Sequence, residues 1–221
     1  MVDTESVSLT PRSLAKADRR QALLTAAASL FARSGFNGVS IEDLGAAVGV
    51  SGPAVYRHFS GKQAVLGALL VGVSEDLVAG GQVVVDEAQD AAVALRSLVR
   101  FHVNFALSNP DVIRVQDRDL DSLAEVERHR VRALQRAYVE LWVQVLGRVH
   151  PTVDTAILRI RAHATFGLIN STPHSAERNA TRGGSSSLDS APARIFPSPT
   201  RGAVRALLEE MALASLTPAE R

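Results

Sequence analysis

The sequence contains no cysteine, few aromatic residues and almost no excess charge. Without cysteine, the 221 residues can form no disulfide, no thiolate metal site and no cysteine nucleophile. Aromatic residues make up 5% of the chain, and 24 basic against 23 acidic side chains leave a formal net charge of +1. A balance this even argues against a broad basic surface for indiscriminate DNA binding.

Long apolar runs and a secretion signal are also missing. No run of about 18 apolar residues occurs, which is the length a membrane-spanning helix needs. Met1–Leu14 carries Asp3 and Glu5 and lacks the apolar centre of a signal peptide. With 46% hydrophobic residues the chain can nevertheless bury a core. We therefore expect a cytoplasmic globular protein.

Two short helices joined by a tight turn are predicted between residues 39 and 62. Apolar residues recur at helical spacing over 41–48, and Gly49 is placed to end that helix in the left-handed conformation. Ser51 then opens a second helix, which is too short to be stable alone. This layout predicts a helix-turn-helix whose second helix reads DNA.

The outward side of the second helix and its flanks supplies the candidate DNA contacts. Residues 12–62 hold seven basic side chains against three acidic ones, so positive charge is concentrated here. Arg57 is the candidate for a bidentate contact with guanine. For Tyr56 and His58 the alternative is a surface ring packed on its own helix. The predicted DNA-binding residues are Ser40, Ser51, Gly52, Pro53, Ala54, Tyr56, Arg57, His58 and Lys62.

Helical patterns also fill the rest of the chain, and the predicted fold class is all-α. Ser-x-x-Asp, Ser-x-x-Gln and Ser-x-x-Glu capping boxes are expected at Ser40, Ser60 and Ser122, and Gly80-Gly81 is expected to break a helix. The other predicted helices cover approximately residues 16–34, 62–79, 90–109, 122–149, 153–171 and 200–216, with a short helix starting at Pro110.

Several segments together resemble the tetracycline-repressor (TetR) family of one-component bacterial regulators. The segments are Ala28–Gly35 (Ala-Ser-Leu-Phe-Ala-Arg-Ser-Gly), Phe36–Val39, Ser40–Gly45, Gly49–Ser51, Val55–Phe59 and Lys62. The similarity covers approximately residues 16–65, and the remainder resembles the family only in its helix layout. Where many relatives carry Lys or Arg after the turn serine, this chain has Gly52 and then Pro53.

The resemblance implies an N-terminal three-helix DNA-binding module and a C-terminal helical domain that binds a ligand and dimerises. On this basis residues 16–62 are expected to be the DNA-binding domain and 63–221 the second domain. Composition predicts a flexible arm over residues 1–15, which are mostly polar, and a mobile loop over 175–200, which is rich in glycine, serine and proline. The resemblance also implies phosphate contacts from Tyr56 and Lys62. Dimerisation is assigned to the last two long helices.

The predicted ligand-binding residues lie in the second domain and combine aromatic with polar groups. The charged stretch from Arg114 to Asp119 is compatible with a solvated surface, an internal salt-bridge network or an anchor for an anionic ligand. His102, His163 and His174 lack the tight spacing of metal ligands, and no cofactor or metal is expected. The candidates are Phe101, His102, Phe105, Arg114, Arg118, Tyr138, Trp142, His163, Phe166 and Asn170.

The function expected from these features is that of a homodimeric repressor which leaves its double-stranded DNA operator when a small apolar or acyl-type effector binds. Leu168–His174 and the Asp-Arg-Asp stretch look like actinobacterial family members that sense acyl-CoA or lipid-like intermediates. The alternatives are an enzyme or binding protein acting on acyl thioesters, and an architectural DNA-binding protein. No Gly-x-Ser-x-Gly elbow or metal spacing is present, so we expect no enzyme.

Overall fold

A computed structural model gives the fold of residues 11–181 and 200–217. Over these residues the chain forms nine α-helices and one short 3₁₀ turn, without a strand, so the all-α prediction is confirmed. The helices are α1 (Pro11–Ser34), α2 (Ile41–Ala47), α3 (Gly52–Val55), α4 (Lys62–Asp86), α5 (Ala91–Ser108), α6 (Pro110–Asp119), α7 (Glu125–Val149), α8 (Thr155–Thr181) and α9 (Arg201–Leu216).

The chain divides into two compact units. The first comprises Met1–Gly72 with Arg114–Arg128, and the second comprises Val73–Ile113 with His129–Arg221. The division therefore differs from the predicted boundary at residue 62. The start of α4 belongs to the first unit because it supplies that unit with buried side chains, namely Val65, Leu66, Leu69 and Leu70.

Two predicted helix ends are wrong. α1 begins at Pro11, so residues 11–15 are helical and not part of an arm; proline suits the first turn of a helix because its N–H is not needed there. α8 continues past Ser171 to Thr181, although Pro173 removes one backbone donor. The predicted loop is therefore wrong over 175–181. Residues 1–10 and 182–199 lie outside the described residues.

Gly80-Gly81 does not break α4, because close packing requires these glycines. A Cβ at Gly80 would lie 2.5 Å from Cζ of Phe101 in α5. A Cβ at Gly81 would lie 2.7 Å from Cε2 of Tyr138 in α7 and 3.1 Å from Leu141. The helix thus continues to Asp86, and the glycines allow two aromatic rings to approach its backbone.

Two of the predicted capping boxes are also wrong. α4 begins at Lys62 and α7 at Glu125, which puts their N-cap positions at Gly61 and Ala124. The predicted starts of α5 and α9 are confirmed by side-chain caps. The Asp90 carboxylate accepts from the N–H of Val93 at 2.7 Å, and the Thr200 hydroxyl accepts from that of Ala203 at 3.2 Å.

Among the described helices, α4 alone is long and apolar enough to cross a membrane by length and composition. Its most apolar window is 39% buried, and the core helix of a soluble protein has the same properties. α4 is apolar on more than one face because it supplies buried side chains along its length, from Val65 to Val85.

In the second unit, α5 packs against α8 and α9, and α8 packs against α9. Their buried side chains join those of α7 in one hydrophobic core. Trp142, the only tryptophan of the chain, lies fully buried within this core. The arrangement brings aromatic residues of α5, α7 and α8 together.

The fold predicts opposite effects of the same substitution at two glycines of α4. Gly81→Ala should lower the free energy of unfolding by about 1–3 kcal/mol, because the methyl group would collide with the buried Tyr138 ring. Gly72→Ala should raise it by up to about 1 kcal/mol, because a Cβ there has no neighbour within 4 Å and alanine favours the helix. Urea unfolding followed by circular dichroism measures both, and equal stabilisation by the two variants would contradict the packing.

Candidate nucleic-acid interface and buried aromatic cluster

α2 and α3 lie in the first unit and are joined by a tight turn. The N–H of Val50 donates to the carbonyl of Gly45 at 2.9 Å, and Gly49 has φ +70°, which confirms the predicted left-handed cap. A Cβ at Gly45 would lie only 2.7 Å from the Val50 carbonyl oxygen. The turn can close this tightly because position 45 has no side chain.

The start of α2 has the predicted capping box. The N–H of Asp43 donates to the Ser40 hydroxyl oxygen at 3.0 Å, and the Ser40 N–H donates to the Asp43 carboxylate at 2.8 Å. The Ser40 hydroxyl also donates to that carboxylate at 2.7 Å. These hydrogen bonds lower the pKa of Asp43, and the bond with the Ser40 side chain has a larger effect than the bond with its backbone. The Ser40 hydroxyl is thus already committed to the cap, and its contact with DNA stays a prediction.

Four of the predicted DNA contacts within or next to α3 are exposed. They are Ser51, Pro53, Tyr56 and Arg57, and the Ser51 side chain makes no hydrogen bond to α3. Gly52 is buried, contrary to the expectation that it faces outward, because a Cβ there would lie 3.2 Å from Oε1 of Glu42 in α2. Ala54 and His58 are half-buried.

Cations of α1 lie near His58. Its pKa is lowered first by loss of solvent and then by the positive charges of Lys16, Arg19, Arg20 and Arg57. The Arg20 guanidinium lies 4.8 Å from the ring centroid of Phe59. The three α1 residues are not among the predicted DNA contacts, although they belong to the surplus of positive charge over residues 12–62.

Lys62 is held by the segment that follows α1. Its Nζ donates to the Phe36 carbonyl at 2.8 Å and lies 4.4 Å from the centroid of the Phe36 ring. An ammonium group has three donors, so this bond does not exhaust it. The phosphate contact of Lys62 remains a prediction.

Arg118 stabilises the C-terminal end of α1. Its guanidinium donates to the carbonyl groups of Phe31 and Ala32 and, at 2.9 Å, to the buried carboxylate of Asp119. The hydrogen bond with Asp119 raises the pKa of Arg118. The sequence left three possibilities for the stretch from Arg114 to Asp119: a solvated surface, an internal salt-bridge network or an anchor for an anionic ligand. Arg118 forms an internal salt bridge. Arg114, like Arg118, belongs to the first unit, whereas the other ligand candidates belong to the second.

Aromatic rings surround His102 in the second unit. The His102 ring centroid lies 4.8 Å from that of Phe166, 5.7 Å from that of Tyr138 and 6.0 Å from those of Phe105 and Trp142. We refer to these five residues as the aromatic cluster. Phe101 lies beside it against Gly80, and His163 is exposed on α8. The structure thus brings together about half of the predicted ligand residues.

Burial keeps His102 neutral, although both of its ring nitrogens have polar neighbours. Its Nε2 lies 3.2 Å from Oδ1 of Asn170, and its Nδ1 lies 3.4 Å from the Tyr138 hydroxyl. A neutral ring satisfies both contacts if Nε2 donates and Nδ1 accepts. Burial, opposed by the bond with Asn170, lowers the pKa of His102 to about 4. Burial also raises the pKa of Tyr138.

Two further polar atoms of α5 and α7 are buried without a hydrogen-bond partner. They are Oδ1 of Asn104 and Nε1 of Trp142. A cleft of about 420 Å³ lies between α7 and α8. Its lining runs along α7 from Arg132 to Glu140 and includes Arg159 and His163 of α8.

Comparisons with known proteins place the chain among bacterial regulators. The family described as "Bacterial regulatory proteins, tetR family" matches residues 23–69, and "Tetracyclin repressor-like, C-terminal domain" matches residues 88–174. The nucleoid occlusion factor SlmA of Shewanella woodyi is 30% identical over 151 residues, or 68% of this chain and 70% of that protein. This chain belongs to the tetR family. The resemblance seen in the sequence is thereby confirmed.

Other tetR-family proteins are similar over less of their sequence or at lower identity. The HTH-type transcriptional repressor KstR2 of Rhodococcus jostii is 27% identical over 132 residues, so the match spans 59% of this chain and 65% of that protein. A TetR-family regulator from Bordetella parapertussis aligns with a TM-score of 0.72 at 21% identity, covering 90% of this chain and 94% of that one.

One similar structure contains both kinds of expected partner. AibR in complex with isovaleryl coenzyme A and operator DNA aligns with a TM-score of 0.66 at 16% identity, covering 91% of this chain and 100% of that one. At such identities the structural likeness shows the tetR-family fold alone.

The burial of His102 predicts a pH dependence of stability. Its pKa is about 4 in the folded protein against an ordinary value of 6.5, so the unfolded chain binds the proton more tightly and stability falls as the pH drops from 6.5 toward 4. In His102→Gln this contribution is absent. The stability advantage of the wild type over the variant should shrink by about 2 kcal/mol between pH 7 and 4.5, as measured by urea unfolding. A constant difference would contradict a buried neutral His102.

Proposed function

We propose that the chain is a homodimeric transcriptional repressor that binds operator DNA through α2 and α3 and is released by a small apolar or acyl-type effector. The observation that carries this proposal is the exposed pair Tyr56 and Arg57 after α3, next to a group of α1 cations. A family of bacterial regulatory proteins and a relative named as a transcriptional repressor support it. Such a protein acts in the cytoplasm, where the DNA is.

In the proposed complex, base reading and backbone contacts come from different side chains. Arg57 has the planar donor pair that matches O6 and N7 of guanine. Tyr56 and the uncommitted hydroxyl of Ser51 donate to phosphate oxygens. Lys16, Arg19 and Arg20 add sequence-independent attraction to the backbone. Because Gly52 carries no side chain, it cannot make the phosphate or base contact that Lys or Arg would make at this position.

A second copy of the chain is the proposed partner. Two α3 helices must lie about 34–36 Å apart to enter successive major grooves, which one copy cannot provide. Four large apolar side chains of α8 and α9 support self-association because they are 44–67% exposed. They are Ile157, Ile160, Leu207 and Met211.

We propose that the effector binds at the aromatic cluster. It consists mainly of aromatic rings, one of its members, Trp142, has a buried Nε1 without a hydrogen-bond partner, and its neutral His102 suits an apolar ligand. AibR, named in complex with isovaleryl coenzyme A, supports an acyl-type effector. The effector would lower operator affinity only by its preference for the state that does not bind DNA.

We propose a binding role and not an enzymatic one. A general base must reach the proton it removes and have a pKa near the working pH. His102 is 3% exposed, has a pKa of about 4, and is engaged by Asn170 and Tyr138. It is therefore poorly suited to acyl-thioester chemistry.

The assignment of α3 predicts the effect of three substitutions. Arg57→Ala and Tyr56→Ala should each weaken operator binding by about tenfold to a hundredfold, since each removes a contact with base or phosphate. Arg33→Ala, an exposed arginine of α1 outside the helix-turn-helix, is the matched control and should bind almost as the wild type. Fluorescence anisotropy with a labelled operator measures affinity, and sedimentation checks the dimer. Unchanged affinity in both Arg57→Ala and Tyr56→Ala would refute the assignment.

A further inference from the structure

The indole N–H of Trp142 is a buried donor without an acceptor. The Trp142 side chain is fully buried in the second unit, and its Nε1 makes no hydrogen bond. Most buried polar groups in folded proteins are paired, because an unpaired group loses its hydrogen bond with water and gains none in return. An exception inside the proposed effector site indicates a partner that arrives with the ligand.

The other two side-chain donors of the aromatic cluster are already engaged. Nε2 of His102 lies 3.2 Å from Oδ1 of Asn170, and the Tyr138 hydroxyl lies 3.4 Å from Nδ1 of His102. With the proton on Nε2, Nδ1 accepts from this hydroxyl. The indole N–H of Trp142 is therefore the one donor of the cluster that is left without an acceptor.

This N–H lies near the Tyr138 oxygen without the geometry of a hydrogen bond. Burial raises the pKa of Tyr138, and the neighbouring Trp142 partly opposes the rise. The two ring centroids are 6.2 Å apart and the rings meet edge to face, but Nε1 remains unpaired. Polar atoms of His102, Tyr138 and Trp142 thus meet at one place among aromatic rings.

The surroundings favour an uncharged group as the partner. Among the described residues of the second unit, the buried polar side chains are Ser74, His102 and Thr165, and no lysine or arginine is buried with them. A carboxylate entering the cluster would lose its water without meeting a cation, because His102 is neutral. A carbonyl oxygen accepts a hydrogen bond, carries no charge and brings no hydrogen that needs a partner of its own.

Phe166 is the neighbour of Trp142 that can make room for a ligand. Its ring centroid lies 4.9 Å from that of Trp142, closer than those of His102 and Tyr138. His102 and Tyr138 are buried and contact each other through polar atoms, whereas Phe166 is half-buried. A rotamer change of Phe166 therefore opens a path to the buried N–H.

We infer that the effector presents an uncharged carbonyl oxygen to the indole N–H of Trp142, while its apolar body lies against the rings of the aromatic cluster. Its chemical class is that of apolar ketones, esters and thioesters. This inference rests on the proposed function, because it names the chemistry of the effector at the proposed site.

The test observes Trp142 itself in the full-length protein. As the only tryptophan, it gives the single indole signal in a proton–nitrogen correlation spectrum. The probes are acetophenone, ethylbenzene and phenylacetate, which share a phenyl ring and a similar size but carry a carbonyl, no oxygen and a carboxylate, respectively. Acetophenone should move the indole proton signal downfield. It should also bind about tenfold more tightly than ethylbenzene, the gain expected from one hydrogen bond.

Trp142→Phe is the matched variant, because it removes the N–H and keeps an aromatic ring. In this variant acetophenone should lose its advantage, while ethylbenzene should bind about as it does to the wild type. Isothermal titration calorimetry measures the affinities, and circular dichroism establishes that the variant is folded. The spectra of the wild type need no substitution, so they decide the point even if the variant does not fold.

The outcomes separate this inference from the proposed function. An indole signal that stays in place, with equal affinities for acetophenone and ethylbenzene, would overturn the hydrogen bond, and so would failure of all three probes to bind. Phenylacetate binding more tightly than acetophenone would overturn the uncharged class. If acetophenone binds as expected but operator affinity is unchanged, the site stands and its control of DNA binding fails. If a ligand releases the operator without moving the indole signal, the effector stands and this site fails.

Discussion

The backbone contact between Gly45 and Val50 is the constraint on which the DNA-facing unit depends. α3 has only four residues, Gly52–Val55, and so few internal hydrogen bonds cannot keep a helix formed in water. Its position is set by the turn that the Val50 N–H closes onto the Gly45 carbonyl, with Gly49 in the left-handed conformation. Burial of Val55 and Phe59 secures the other side. The exposed Tyr56 and Arg57 side chains are therefore presented by a rigid support.

The second unit is organised by a different constraint, the packing of rings around a neutral histidine. Gly80 and Gly81 let α4 approach Phe101 and Tyr138 so closely that a methyl group would not fit. His102 then lies among rings where a positive charge would be costly, as its lowered pKa shows. A ligand entering beside this cluster must rearrange well-packed side chains. Packing of this kind tends to switch between discrete arrangements, which is the property a ligand-responsive regulator requires.

Features set by neighbouring residues could be predicted from the sequence, whereas those set by distant contacts could not. The Ser40–Asp43 box and the Gly49 cap follow from residues within one turn, and both were predicted correctly. The continuation of α4 through Gly80-Gly81 depends on Phe101 and Tyr138, which only the fold brings near. The role of Arg118 depends likewise on α1 carbonyl groups 86 and 87 positions earlier in the chain.

Selection from a random pool of DNA duplexes with the full-length protein tests the central claim most directly, because one experiment both identifies the operator and measures specificity for it. A homodimer that reads bases through two copies of α3 should enrich an inverted repeat. It should bind this repeat about a thousandfold more tightly than a scrambled duplex at the same salt concentration. Failure to enrich any sequence, with equal affinity for selected and scrambled duplexes, would contradict a sequence-specific regulator.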